Sequence, residues 1–114
     1  MSASPKIKSD PLYRLLREGR VDAFNLEKAH GKSCDLTFCD FRGIDLRGLD
    51  ANGLDFSGCY FRQADLRGVD LSKARLEGAS IHSARIAGAY FPSEISADEI
   101  QLSFMHGTRM RYRS

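Results

Sequence analysis

One period governs this chain, and it is five. Read in blocks of five from Cys34, the third residue is Leu36, Phe41, Leu46, Ala51, Phe56, Phe61, Leu66, Leu71, Leu76, Ile81, Ile86 and Phe91, with no polar residue among them. The first residue of each block is Cys34, Cys39, Ile44, Leu49, Leu54, Cys59, Ala64, Val69, Ala74, Ala79, Ala84 and Ala89, again apolar and often small. The second is Asp in seven blocks: Asp35, Asp40, Asp45, Asp50, Asp55, Asp65 and Asp70. The fifth is most often Gly.

Neither the helical period of 3.6 nor the strand period of 2 sustains this pattern, so something resets the chain at every fifth residue. Two apolar positions two residues apart lie on one side of an extended segment. A glycine after them permits a bend at little steric cost. Each block therefore reads as one straight edge and one corner, with two side chains aimed inward. Repeated, the blocks coil about an apolar axis whose expected core is Leu36, Phe41, Leu46, Phe56, Phe61, Leu66, Leu71, Leu76, Ile81, Ile86 and Phe91. The number of edges per turn stays open on counting. Displacing residues 39–58 by 20 gives nine identities and by 15 gives eight, which does not separate a square coil from a triangular one.

The blocks CDLTF, CDFRG, IDLRG, LDFSG, ADLRG, VDLSK and ARLEG resemble those of the pentapeptide repeat family, over a match from about Cys34 to Pro92. The resemblance implies an all-β solenoid, a right-handed four-sided β-helix with twenty residues per coil. On that geometry the chain makes about three coils, and at ~4.8 Å per coil the solenoid is about 14 Å tall. It also implies that the aspartates brace the turns through local hydrogen bonds rather than bind metal.

A solenoid exposes backbone and core at both ends and needs caps. Three segments of one structural unit are expected: an N-terminal helical cap over 1–33, the β-helix over 34–93, and a C-terminal capping helix and tail over 94–114. Asp10-Pro11 is a helix start, Leu12, Leu15 and Leu16 form a stripe, and Gly19 is a stop. A second helix fits Val21 to His30, with Val21, Phe24 and Ala29 facing the first coil. Ser96 with Glu99 is a capping box. Ile95, Ile100, Leu102, Phe104 and Met105 are expected to cover the coil end, and the alternating tail TRMRYR to pair as an edge strand or with its twin in a homodimer.

The rest of the sequence bears on function mainly by exclusion. A net charge of +2 and 42% apolar content describe a folded chain without a strong electrostatic preference. No apolar run approaches the roughly 20 residues that span a bilayer, so no membrane partner and a cytoplasmic location are expected. Cys34, Cys39 and Cys59 lack metal or disulfide spacing, and His30, His82 and His106 share no ligand pattern. No catalytic residue, cofactor or metal is expected. On the four-sided geometry Arg42 stacks under Arg62 and Arg47 under Arg67, a basic strip interleaved with aspartates.

These features point to a noncatalytic protein-interaction or scaffold module, partner unidentified, with Arg42, Arg47, Arg62 and Arg67 as its candidate contact strip. Two alternatives carry less weight. The resemblance includes proteins that bind DNA gyrase as acidic mimics of duplex DNA, but residues 34–93 carry eight acids against seven bases and only about three coils. Nucleic-acid binding through the arginine strip and the basic tail Arg109, Arg111 and Arg113 is disfavoured by the aspartates between the strip arginines.

Overall fold

In a computed structural model, residues 4–113 are described. The coils stack with a register of twenty, through parallel bridges that join Asp40 to Tyr60 to Ser80, Asp45 to Asp65 to Arg85, Asp55 to Arg75 and Asp70 to Tyr90. Four blocks therefore separate each residue from the one stacked on it. Four faces can be named by the first residues of their blocks: A (34, 54, 74), B (39, 59, 79), C (44, 64, 84) and D (49, 69, 89). Among the described residues each contact between coils is an isolated bridge rather than a strand. The reason is the corner every five residues, where Gly43, Gly48, Gly53, Gly58, Gly68, Gly78 and Gly88 all take φ between 70° and 84°.

The inward positions pack as the period requires. Phe41 stacks on Phe61 one coil above it, with ring centroids 5.2 Å apart and planes 5° from parallel, while Phe56 meets both rings edge-on. Leu36, Leu46, Leu66, Leu71, Leu76 and Ile81 join them in the buried core. Ile86 and Phe91 are only half-buried; they lie in the last coil on faces C and D, where their N–H groups find no backbone acceptor among the described residues.

Three helices follow the punctuation of the sequence. Helix α1 is Pro11–Arg17, α2 is Val21–Ala29 and α3 is Ala97–His106. The Asp10 carboxylate accepts from Leu12 N and Tyr13 N at the start of α1, and Ser96 Oγ accepts from Glu99 N at the start of α3. Glu99 does not close a capping box, since its carboxylate holds the Arg111 backbone N–H and guanidinium instead.

Below the first coil, the helices satisfy backbone groups that a further coil would have met. The Tyr13 hydroxyl donates to the Asp40 carbonyl at 2.6 Å, Lys8 Nζ donates to the Thr37 carbonyl, and the Asn25 amide accepts from Asp50 N and donates to the Gly48 carbonyl. The segment before α1 also takes part: Lys6 bridges to Cys39, donating to the Phe38 carbonyl and accepting from Asp40 N. Tyr13, absent from the expected stripe, is fully buried with Leu16 and lies edge-on to Phe41 at 5.3 Å, whereas Leu12 and Leu15 are half-buried and Ala29 is exposed.

The upper end departs further from expectation. Helix α3 does not plug the core with its apolar face, for Leu102, Phe104 and Met105 are all exposed. Its attachment is polar: Ser103 Oγ accepts from Ile81 N, and the Phe104 carbonyl accepts from Ser83 N. The apolar cover comes from Ile95 and from Met110 in the tail, both buried. The tail pairs with its own chain, Met110 N donating to the Ala79 carbonyl and its carbonyl accepting from Gly78 N, while the Tyr112 hydroxyl accepts from Leu76 N.

Candidate interaction face

The outward surface is built from the second and fourth residues of each block. All seven aspartates act alike: Oδ1 accepts the backbone N–H two residues on, at Thr37, Arg42, Arg47, Asn52, Ser57, Arg67 and Ser72. This local ring closes just before the corner and holds the backbone in the shape the turn needs. Where the residue two on is arginine, its guanidinium returns to the same carboxylate. Arg42 holds Asp40, Arg47 holds Asp45 and Arg67 holds Asp65, at shortest distances of 2.9, 2.8 and 2.6 Å.

Face C carries a network across two coils. Arg47 Nε lies 3.4 Å from Asp65, so that carboxylate serves its own arginine and the one below it. The Arg67 hydrogen bond, with the adjacent charges, holds Asp65 down at about 2. Asp45 is lowered by its Arg47 hydrogen bonds, and Arg42, Arg47 and Arg67 are each raised by their carboxylate partners. The result is a set of guanidiniums fixed in place and electrically balanced.

Arg62 does not follow this pattern. Its block is CYFRQ, where Tyr60 stands in the aspartate position. The guanidinium lies over the Tyr60 ring, 4.3 Å from its centroid, and its terminal nitrogen donates to the Gly107 carbonyl at 3.5 Å. Its Nε is buried with no acceptor. The strip thus divides into three acid-paired arginines and one arginine drawn against the C-terminal segment. Arg109 reaches the same ring at 5.4 Å and donates to the Gly58 and Gly78 carbonyls. The sequence offers Arg109 only as part of a basic tail with Arg111 and Arg113, not as a neighbour of Arg62, though the replacement of Asp by Tyr60 and Ser80 on face B is a visible sign that this face differs.

The remaining chemistry-bearing residues lie apart. Cys39 and Cys59 are buried free thiols, and Cys34 is partly buried. Desolvation pushes Cys34 up to about 12 and Cys39 up to about 11, while burial raises Cys59, whose thiol donates to the Leu36 carbonyl. Among the described residues, no group of three or more His, Cys, Asp or Glu side chains is arranged to hold a metal ion, and no helix is long and apolar enough to cross a membrane.

Residues 16–48 and 55–91, well over half of the chain, match the family model for pentapeptide repeats in eight copies. No curated protein and no solved structure matches it.

Proposed function

Because the chain belongs to the pentapeptide repeat family, whose members have a β-helix fold and are generally non-catalytic, we propose that it is a noncatalytic protein-interaction module on a right-handed four-sided β-helix of three coils. In this reading 34–93 is the solenoid, and 1–33 and 94–114 are caps that belong to the same unit. The observation that carries it is the array of arginines held at fixed positions over a filled core. Arg42, Arg47 and Arg67 are each clamped by a carboxylate, and Arg47 ties two coils together. Side chains held this way lose little rotamer freedom when a partner docks, which lowers the entropic cost of association. Their charge is balanced locally, which favours a protein surface of mixed charge over a polyanion.

Affinity capture with the intact chain and an Arg42/Arg47/Arg67→Ala variant tests this. Arg62 is left in place because it holds the C-terminal segment. The expected result is prey recovered by the parent and lost by a variant with an unchanged circular dichroism spectrum. Prey retained by that variant overturns the assignment of the working face.

A further inference from the structure

Face B is where the repeat is broken. Its second-position column runs Asp40, Tyr60, Ser80 beside Arg42, Arg62 and His82, so the carboxylate is missing from two of three coils and Arg62 is left without the one that Arg42 has. Its corners are also irregular. Among the described residues, Phe38, Gln63 and Ser83 are the three non-glycine residues with positive φ, at 56°, 59° and 56°, and all three adjoin this face. A non-glycine residue held in that region costs energy and persists where the surroundings demand it, often at functional positions.

Two charges against this face are uncompensated. Arg62 and Arg109 both lie over Tyr60, at 4.3 and 5.4 Å from the ring centroid, and among the described residues neither forms an ion pair. Their hydrogen bonds go to carbonyl oxygens of Gly107, Gly58 and Gly78, which satisfy donors without neutralising charge. Two buried nitrogens, Arg62 Nε and His82 Nδ1, have no hydrogen-bond partner among the described residues. His82 stands one coil above Arg62, and both lie against Gly107.

We propose that the Tyr60–Arg62–Arg109 cluster is a docking site for an acidic, extended peptide segment of a partner protein. The proposal rests on the interaction-module reading and names the chemistry of the partner. Because both guanidinium carbons lie close to one ring centre, they are within about 10 Å of each other. Carboxylates at alternate positions of an extended peptide are spaced about 7 Å apart, within that bound. Guanidinium forks suit carboxylate oxygens, and the aromatic ring beneath them holds the cations in place. A long polyanion fits less well, since Asp40 lies one coil below Tyr60 and Asp65 lies on the adjoining face.

The test is a fluorescence-anisotropy titration of the full chain with a labelled Ser-Glu-Ser-Glu-Ser peptide and its Ser-Gln-Ser-Gln-Ser counterpart. Binding of the Glu peptide alone is expected, weakening about tenfold as salt is raised through the range that screens exposed charges. The decisive variant is Tyr60→Asp, which restores the repeat's own residue and supplies Arg62 with the acceptor that Arg42 has in Asp40. It is expected to keep the fold and lose the peptide. Arg109→Gln is expected to weaken binding at least about fivefold by removing one fork, while Lys73→Ala, an exposed residue on the opposite face D, leaves it unchanged.

Failure of the Glu peptide to bind above the Gln control overturns the proposal, as does full binding by Tyr60→Asp. Displacement of the peptide by inorganic phosphate or duplex DNA at lower concentration than by free Glu peptide assigns the cluster to phosphate instead. If the capture experiment still yields prey that depend on Arg42, Arg47 and Arg67 while the peptide does not bind, the acidic-segment inference fails and the module reading stands.

Discussion

Replacing Gly58 by alanine probes how one coil is fitted to the next. Gly58 has φ +72°, and a methyl group built on it would fall inside the Phe38 ring of the coil below, with Cζ 2.9 Å away and Cδ1 and Cε1 nearer still. Alanine in the left-handed region costs about 1 kcal/mol. The overlap adds a second cost: either the ring stays and the packing is strained, or it swings out and loses the contact that leaves it only 40% exposed. Overpacking of this kind costs about 1–3 kcal/mol, and unburying about half a phenylalanine falls in the same range. The total for Gly58→Ala is therefore about 2–4 kcal/mol. Two controls isolate the causes. Gly48→Ala, at φ +84° with nothing within 4 Å of the added methyl, should cost only the backbone part, about 1 kcal/mol. In a Phe38→Gly background, which also relieves the φ of 56° at that residue, Gly58→Ala should likewise cost about 1 kcal/mol. The coupling energy in urea unfolding followed by far-ultraviolet circular dichroism is then about 1–3 kcal/mol. Additivity within about 0.5 kcal/mol, or equal losses from Gly58→Ala and Gly48→Ala, would refute the argument.

Other perturbations follow from the caps and the aspartate rings. Tyr13→Phe removes the 2.6 Å hydrogen bond to the Asp40 carbonyl and keeps the ring on Phe41, so chemical denaturation should show a loss of about 1 kcal/mol. Met110→Ala empties a fully buried site beneath the tail and should cost about 2–4 kcal/mol by the same assay. Asp65 titrates near 2 in the folded chain and has an ordinary value of 3.8. A depressed carboxylate contributes its stability above the ordinary value and loses it as pH falls through the folded one, so the urea midpoint should drop between about pH 4 and pH 2. Asp65→Asn should flatten that drop. Duplicating residues 59–78 after Gly78 adds one register repeat and preserves every stacked pair, so it should give a folded chain, whereas an insertion of eighteen residues should not.

The period of five exposed the inward positions because each block repeats the same physical demand. Leu36, Phe41, Leu46 and their equivalents are buried wherever a neighbouring coil or a cap covers them on each side. The ends were less legible for the same reason. Tyr13 and Met110 are core residues without being members of any repeat, and each is buried by a contact with a part of the chain distant in sequence. The apolar residues of α3 misled, since a helix with exposed Leu102, Phe104 and Met105 is attached through a serine hydroxyl and a carbonyl. The strip of four arginines was legible as a column but not as two kinds. Whether an arginine is paired depends on the residue two positions before it, and at Arg62 that residue is Tyr60.

The caps explain why face B carries the irregularities. In the last coil, Leu76 and Gly78 on face A and Ile81 and Ser83 on face B point backbone N–H groups upward, and the tail and α3 accept all four. Among the described residues, Ile86, Gly88 and Phe91 N–H on faces C and D meet no carbonyl. The C-terminal segment therefore comes down over A and B only, and it brings Gly107 and Arg109 against the Arg62 and His82 column. An aspartate at position 60 would have paired with Arg62 and left Arg109 without the ring it now lies over. A tyrosine there gives both arginines a surface to pack on at the expense of a balanced charge.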